Sequence, residues 1–193
     1  MLLPVQLEDD AHLEHLRLHN GTIWRWNRPL LGFDDDGTPH LRIEHRVVAA
    51  GPSIVDAIAN AALFYGLAEA FARELEQGAP LLPFSQAKDN FYQAARHGLQ
   101  AGVIWHDSEH LGLRTLLLER LLPQAQRGLE SLGVDAEEAA HYLGVMRERV
   151  TCGQNGCAWQ RRWVEAHGRD LRRMTAVYRD RQRGGTPVHT WDL

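Results

Sequence analysis

Along HLRIEHRVV, residues 40–48, charged and apolar positions alternate. In an extended chain Arg42, Glu44 and Arg46 line one face, while Leu41, Ile43 and Val47 line the other. This period of two predicts a β-strand. GTIWRWNR, residues 21–28, carries the same signature, with Trp24, Trp26, Thr22 and Arg28 on one face, and Pro29 is expected to end that strand. The LLGFDDDGTP segment between them holds an Asp-Gly step and predicts a long hairpin turn.

From Ser53 the period changes to that of a helix. Ile54, Ile58, Ala61, Ala62, Tyr65, Leu67 and Phe71 recur at helical spacing, between a serine N-cap and Gly78, and predict a largely buried helix. Further helices are predicted over about 86–100, 109–131 with a kink near Pro123, 136–150 after Asp135, and 158–183 with an interruption at Gly168. The first twenty residues read as a short helix or loop. The expected fold is α+β: an antiparallel β-hairpin followed by a mainly helical region of about five helices. It is read as one domain over 1–193, with the N-terminal segment and hairpin in 1–52 and the helical region in 53–193.

Composition narrows the function classes. The chain has 193 residues, 44% of them hydrophobic, enough for a core. Its 21 basic against 25 acidic residues give a net charge of -4, which argues against nucleic acid or an anionic membrane as partner. The arginine-rich stretch 161–183 is locally basic, but a solvated helix explains it without a nucleic-acid partner. No stretch is read as a membrane span and no leader is recognised, so the expected location is cytoplasmic. Cys152 and Cys157 are too few for a disulfide framework. His12, His15 and His19 share helical spacing without an accompanying metal-site signature, and Asp34 to Asp36 lack the spacing of a calcium loop.

The chemistry concentrates in the alternating strand. GTIWRWNRP followed by LRIEHR resembles the second half of a carboxylate-amine ligase of the glutamate–cysteine ligase 2 type, within the glutamine synthetase superfamily. Asn90, Ala95, Arg96, Gly98 and Leu99, then LLPQAQRGLESLG, then Gly153 and Gly156 before Ala158, Trp159 and Gln160 extend the resemblance over about residues 20–165. It implies that the hairpin is part of an antiparallel cradle for ATP, a divalent metal and an amino-acid carboxylate. Carried over by position, Glu44 would bind Mg²⁺ or Mn²⁺, Arg42 and Arg46 would contact the nucleotide phosphates, and Arg28 and Arg46 would act on the reacting groups. The implied substrates are a glutamate-like carboxylate and an amine.

Three departures accompany this resemblance. Trp26 stands where the family commonly has an Asp, Arg42 fits the glutamine synthetase form of the strand better, and RVVAAGP lacks a terminal Asp. The family's other metal-binding carboxylates lie on strands of an N-terminal half, so a missing half or partner chain is expected, and the chain alone is expected to be catalytically silent. Two other readings stand beside the ligase. One is a non-catalytic helical module that binds a partner through the hairpin edge and Trp24 and Trp26. The other makes Arg42, Glu44 and Arg46 a cross-strand ion-pair ladder with Arg25 or Arg28.

Overall fold

The computed structural model describes residues 17–18, 27–48 and 50–193. Trp24, Trp26, Arg25 and the histidines at 12, 15 and 19 lie outside the described residues. The chain divides into two units, Met1–Ala49 and Ala50–Leu193. The fold class is α+β, as the patterning predicts.

In the first unit, β1 (Asn27–Phe33) pairs antiparallel with β2 (Pro39–His45), with Arg28 opposite Glu44, Leu30 opposite Arg42 and Gly32 opposite His40. Pro29 does not stop the strand. It pairs with Ile43 in the interior of β1, because in a two-stranded sheet a residue without an N–H is tolerated where its nitrogen faces the unpaired edge. The turn is correspondingly shorter than predicted. Asp34 N–H donates to the Thr38 carbonyl at 2.9 Å, Gly37 N–H donates to the Asp34 carbonyl at 2.9 Å, and Gly37 takes φ 85°. The acidic triplet is exposed; the Thr38 N–H bonded to Asp36 Oδ1 at 2.9 Å lowers the Asp36 pKa.

The second unit opens with α1 (Ile54–Glu76), capped by Ser53, whose side-chain oxygen accepts from the Asp56 N–H. Its helix period was legible; its buried face was not. Asp56, Ala59, Gly66 and Ala70 are buried, while Ile54 and Tyr65 are 78% and 61% exposed. The reason is a close crossing, in which small residues let two backbones touch and larger ones are turned outward. Ala62, Leu63 and Leu67 flank that crossing and pack on Leu122, Ala125, Leu129, Ala139 and Leu143. The sequence reading of no membrane span also needs amending: α1 is long and apolar enough to cross a membrane by length and composition.

Helix α2 (Phe84–His97) follows, and then a short hairpin that the periodicity did not reveal, β3 (Gly102–Ile104) with β4 (His110–Gly112). Strands of three residues carry too little alternation to be recognised, and Asp107 and Ser108 turn the chain with φ 56° and 58°. Asn90 on α2 acts as a third partner: its side-chain amide donates to the Ile104 carbonyl at 2.6 Å and accepts from the Ile104 N–H at 2.8 Å.

The predicted helix 109–131 therefore starts late. It comprises α3 (Leu113–Leu116), a π-helical turn (Leu117–Leu121) and α4 (Leu122–Ser131). Pro123 lacks an N–H and its ring crowds the carbonyl one turn earlier; the wider π turn absorbs that conflict. Beyond it lie α5 (Ala136–Cys152), α6 (Gly156–His167) and α7 (Leu171–Arg183), each with an Asp or Asn N-cap. Gly168 separates the last two, at the expected interruption. Trp159, Trp163, Val188 and Trp191 form a second core cluster that holds the C-terminal segment on α6.

Candidate functional site: the charged face of the first hairpin

Antiparallel register gathers the candidate residues. Residues directly opposite in β1 and β2 share a face, so Arg28, Leu30 and Gly32 lie with Glu44, Arg42 and His40. Pro29, Leu31, Leu41 and Ile43 take the other side. Arg28 is the most covered of the charged side chains, 13% exposed, whereas Arg42, Leu41 and Ile43 are exposed.

Glu44 organises the arginines. Arg28 donates to its Oε2 from Nε at 3.0 Å and from Nη2 at 2.6 Å, and Arg46 Nη2 lies 2.9 Å from the same oxygen. The hydrogen bond from Arg46, reinforced by Arg28, holds the Glu44 carboxyl below its ordinary pKa of 4.5. Such charge-assisted contacts fix the direction of each guanidinium and leave further N–H groups for an anion.

The Arg28–Glu44 part of the ion-pair ladder anticipated from sequence is thus present. Arg42 stands apart from it. It makes no hydrogen bond or ion pair among the described residues, and its guanidinium lies over Gly32, where a Cβ would come within 3.0 Å of Nη2.

Gly32 is the residue that sequence reasoning missed; alternation places His40 on the charged face, where it was given no role. A Cβ at Gly32 would also collide with His40 Nε2, so glycine is what lets the imidazole lie across the strand. His40 Nδ1 pairs with Asp34 Oδ1 at 3.0 Å, while its Nε2 is buried without a hydrogen-bond partner. The readable signal was positional, a glycine directly across a hairpin from a histidine in the charged register. His45 points to the opposite face and pairs with Asn27 Oδ1 at 2.7 Å. Burial lowers its pKa.

The charge count decides what the face accepts. Among the described residues Arg28, Arg42 and Arg46 outnumber the carboxylates beside them, Glu44 and the His40-bound Asp34, so the face carries a surplus of positive charge suited to phosphate or carboxylate groups. A divalent cation fits poorly. Among the described residues no group of three or more His, Cys, Asp or Glu side chains converges to hold a metal, and a hard cation takes about six oxygen ligands. Glu44 is engaged by two arginines, so any metal ligation by it requires carboxylates from elsewhere.

The arginine origin of the Glu44 shift is testable. Because the folded-state pKa is depressed, the stabilisation is present above pH 4.5 and is lost as pH falls from 4.5 through the folded value. Titrating the side-chain carboxyl carbon by NMR is expected to give a midpoint below 4.5, moving upward in Arg46→Ala. An unmoved midpoint in that variant would remove Arg46 as the cause.

Comparison with known proteins adds one match. No curated protein matches the chain. The family model described as glutamate-cysteine ligase family 2 matches residues 13–179, which include both strands of this hairpin and most of the helical unit.

Proposed function

Because the chain belongs to glutamate-cysteine ligase family 2, we propose that it is the C-terminal part of an ATP-dependent carboxylate-amine ligase, joining a glutamate-like carboxylate to an amine. The observation that carries this reading is the arginine face: Arg28 and Arg46 held by Glu44, with Arg42 beside them and unpaired among the described residues.

In such a ligase the γ-phosphoryl group of ATP passes to a carboxylate oxygen and ADP leaves. The amine nitrogen then attacks the acyl carbon, the bond from that carbon to the phosphate oxygen breaks, and the ammonium formed loses a proton to give the amide and inorganic phosphate. Negative charge crowds the phosphoryl group throughout. Arg28 and Arg46 are assigned to the reacting carboxylate and phosphate, and Arg42 and Arg46 to the polyphosphate. Glu44 holds the Arg28 and Arg46 donors before substrate arrives, so those two need little reorganisation as charge develops.

Mg²⁺ or Mn²⁺ serves the family's chemistry by neutralising phosphate charge, and Glu44 is the residue that would take part in holding it. The described residues do not complete that site, so the proposal includes a further carboxylate-bearing segment or partner chain and a chain that is silent alone. Cytoplasmic location belongs to the same proposal, since both nucleotide and amino acid are cytoplasmic metabolites.

One observation favours a second reading, a non-catalytic module that binds a partner chain. Leu41 and Ile43 are exposed on the hairpin's apolar face, and among the described residues each strand of this two-stranded sheet keeps an unpaired edge.

Nucleotide binding separates the two. Calorimetry with ATP and the purified chain is expected to give saturable binding, weakened about tenfold in Arg42→Ala, a loss in keeping with a charge-assisted contact. Turnover is measured as ADP release with Mg-ATP, glutamate and a panel of amines including cysteine, and none is expected from the chain alone. Amine-dependent turnover lost in Arg46→Ala would retain the ligase and overturn its incompleteness. Absence of both binding and turnover would overturn the ligase reading in favour of the partner-binding module.

A further inference from the structure

The helical unit contains a cavity of about 380 Å³ between the last turns of α1, the α1–α2 loop and the β3–β4 turn. Its wall is apolar and aromatic, built from Phe71, Leu75 and Trp105, with the Phe71 and Trp105 ring centroids 6.3 Å apart. Its polar lining is two carboxylates and the imidazole of His106. Glu74 and Asp107 both line it, and among the described residues no lysine or arginine does.

Both carboxylates keep acceptor capacity. Glu74 receives one hydrogen bond, from Gln124 Nε2 to Oε1 at 2.6 Å, and its second oxygen receives none among the described residues. Asp107 has no hydrogen-bond or ion-pair partner there, and its positive φ carries its side chain at the tip of the turn. The neighbouring Glu109 differs, being engaged by Arg120 in a two-pronged pair at 2.6 and 2.8 Å. The turn thus neutralises one of its acids and leaves another at the cavity.

We propose that this cavity binds a small organic ammonium ion with an apolar, preferably aromatic, body. The body replaces water against Phe71, Leu75 and Trp105, and the ammonium group meets Glu74 and Asp107. A cavity of this size accommodates one ring with a short side chain. Apolar contact gives the larger share of affinity, and the carboxylates, aided by indole–cation attraction, set the sign of charge selected. The inference is independent of the ligase reading, since it concerns a different unit and involves no turnover.

The test is binding of 2-phenylethylammonium at neutral pH, followed by calorimetry and by the indole N–H resonance of Trp105. Neutral 2-phenylethanol and anionic 3-phenylpropanoate serve as same-shape comparisons. The ammonium is expected to bind saturably and to shift the Trp105 resonance, with the alcohol at least about fivefold weaker and the carboxylate weaker still. Asp107→Asn combined with Glu74→Gln is expected to remove that preference while leaving the fold intact. Asparagine accepts a positive φ, and the glutamine carbonyl still accepts from Gln124. Equal binding of the alcohol, an unshifted Trp105 resonance, or no saturable ammonium binding would each overturn the proposal.

Discussion

Gly128→Ala is expected to cost about 3 kcal/mol of folding stability, at the upper end of what overpacking a close contact costs, although alanine is the better helix former. At Gly128 a Cβ would lie 2.8 Å from the Gly66 carbonyl carbon and closer still to its oxygen. At Gly66 a Cβ would lie 2.8 Å from the Ala125 carbonyl carbon. The obstacle on both sides is backbone, which cannot rotate away as a side chain does. Helices α1 and α4 would have to separate, and Leu63, Leu67, Leu122 and Leu129 around the crossing would lose contact.

For a chain of this length that loss corresponds to a fall in Tm of about 6–12 °C. Urea unfolding of Gly128→Ala and Gly66→Ala checks it. The propensity gain of alanine over glycine, about 1 kcal/mol, is already set against the clash. A neutral or stabilising result would mean that the helices have room to part. Gly144→Ala is the internal control: that glycine lies in α5 with nothing within 4 Å of its Cβ position, so the propensity gain should appear alone.

The glycine crossing also marks where the sequence stopped being legible. A period of 3.6 identified α1 as a helix, and its large apolar residues named the expected buried face. Ile54, Ile58 and Tyr65 are nevertheless exposed, because the nearest partner backbone demands Gly66 and Ala59 instead. Periodicity reports which residues share a face and is silent on how closely a neighbour approaches that face. The same limit hid β3 and β4. Their pairing depends on Asn90, twelve residues before the strand begins, reaching the backbone of Ile104.

The charged hairpin face was legible because alternation in a strand is a strict geometric rule. Arg28, Arg42 and Glu44 share a face in the observed register as they do in the sequence pattern. Their partnering was less legible. Cross-strand register decides that Glu44 meets Arg28, and the turn that sets this register was read as longer than the Asp34–Thr38 segment that closes it.

Asp56→Ala is expected to have the other large effect, about 3–5 kcal/mol, in the range for removing one partner of a buried ion pair. Asp56 is fully buried and Arg149 only 8% exposed. Asp56 Oδ2 accepts from Ser53 Oγ at 2.8 Å and from the Val188 N–H at 2.9 Å, while Oδ1 faces the Arg149 guanidinium at 3.4 Å. Arg149 also donates to Asn60 Oδ1 at 2.6 Å, and burial lowers its pKa. One carboxylate thus ties the start of α1 to α5 and to the C-terminal segment. Removing it leaves a buried cation without its counter-charge and a buried N–H without an acceptor.

Arg149→Met separates the two contributions, because it removes the cation while keeping a long apolar side chain. If uncompensated charge dominates, Asp56→Ala with Arg149→Met should be more stable than the sum of the single losses predicts, by about 1–3 kcal/mol. If the anchoring of Val188 dominates, the double variant should show the full sum, and protease should cleave after Arg183 faster in both variants that lack Asp56. Gln154 and Trp159 provide an independent check on the second outcome. Gln154 Nε2 donates to the Val188 and Trp191 carbonyls at 2.7 and 2.9 Å, and Trp159 Nε1 to the Asp192 carbonyl at 2.8 Å. Those three bonds do not involve Asp56, so a segment released by its removal must have depended on the Val188 bond for its register on α6.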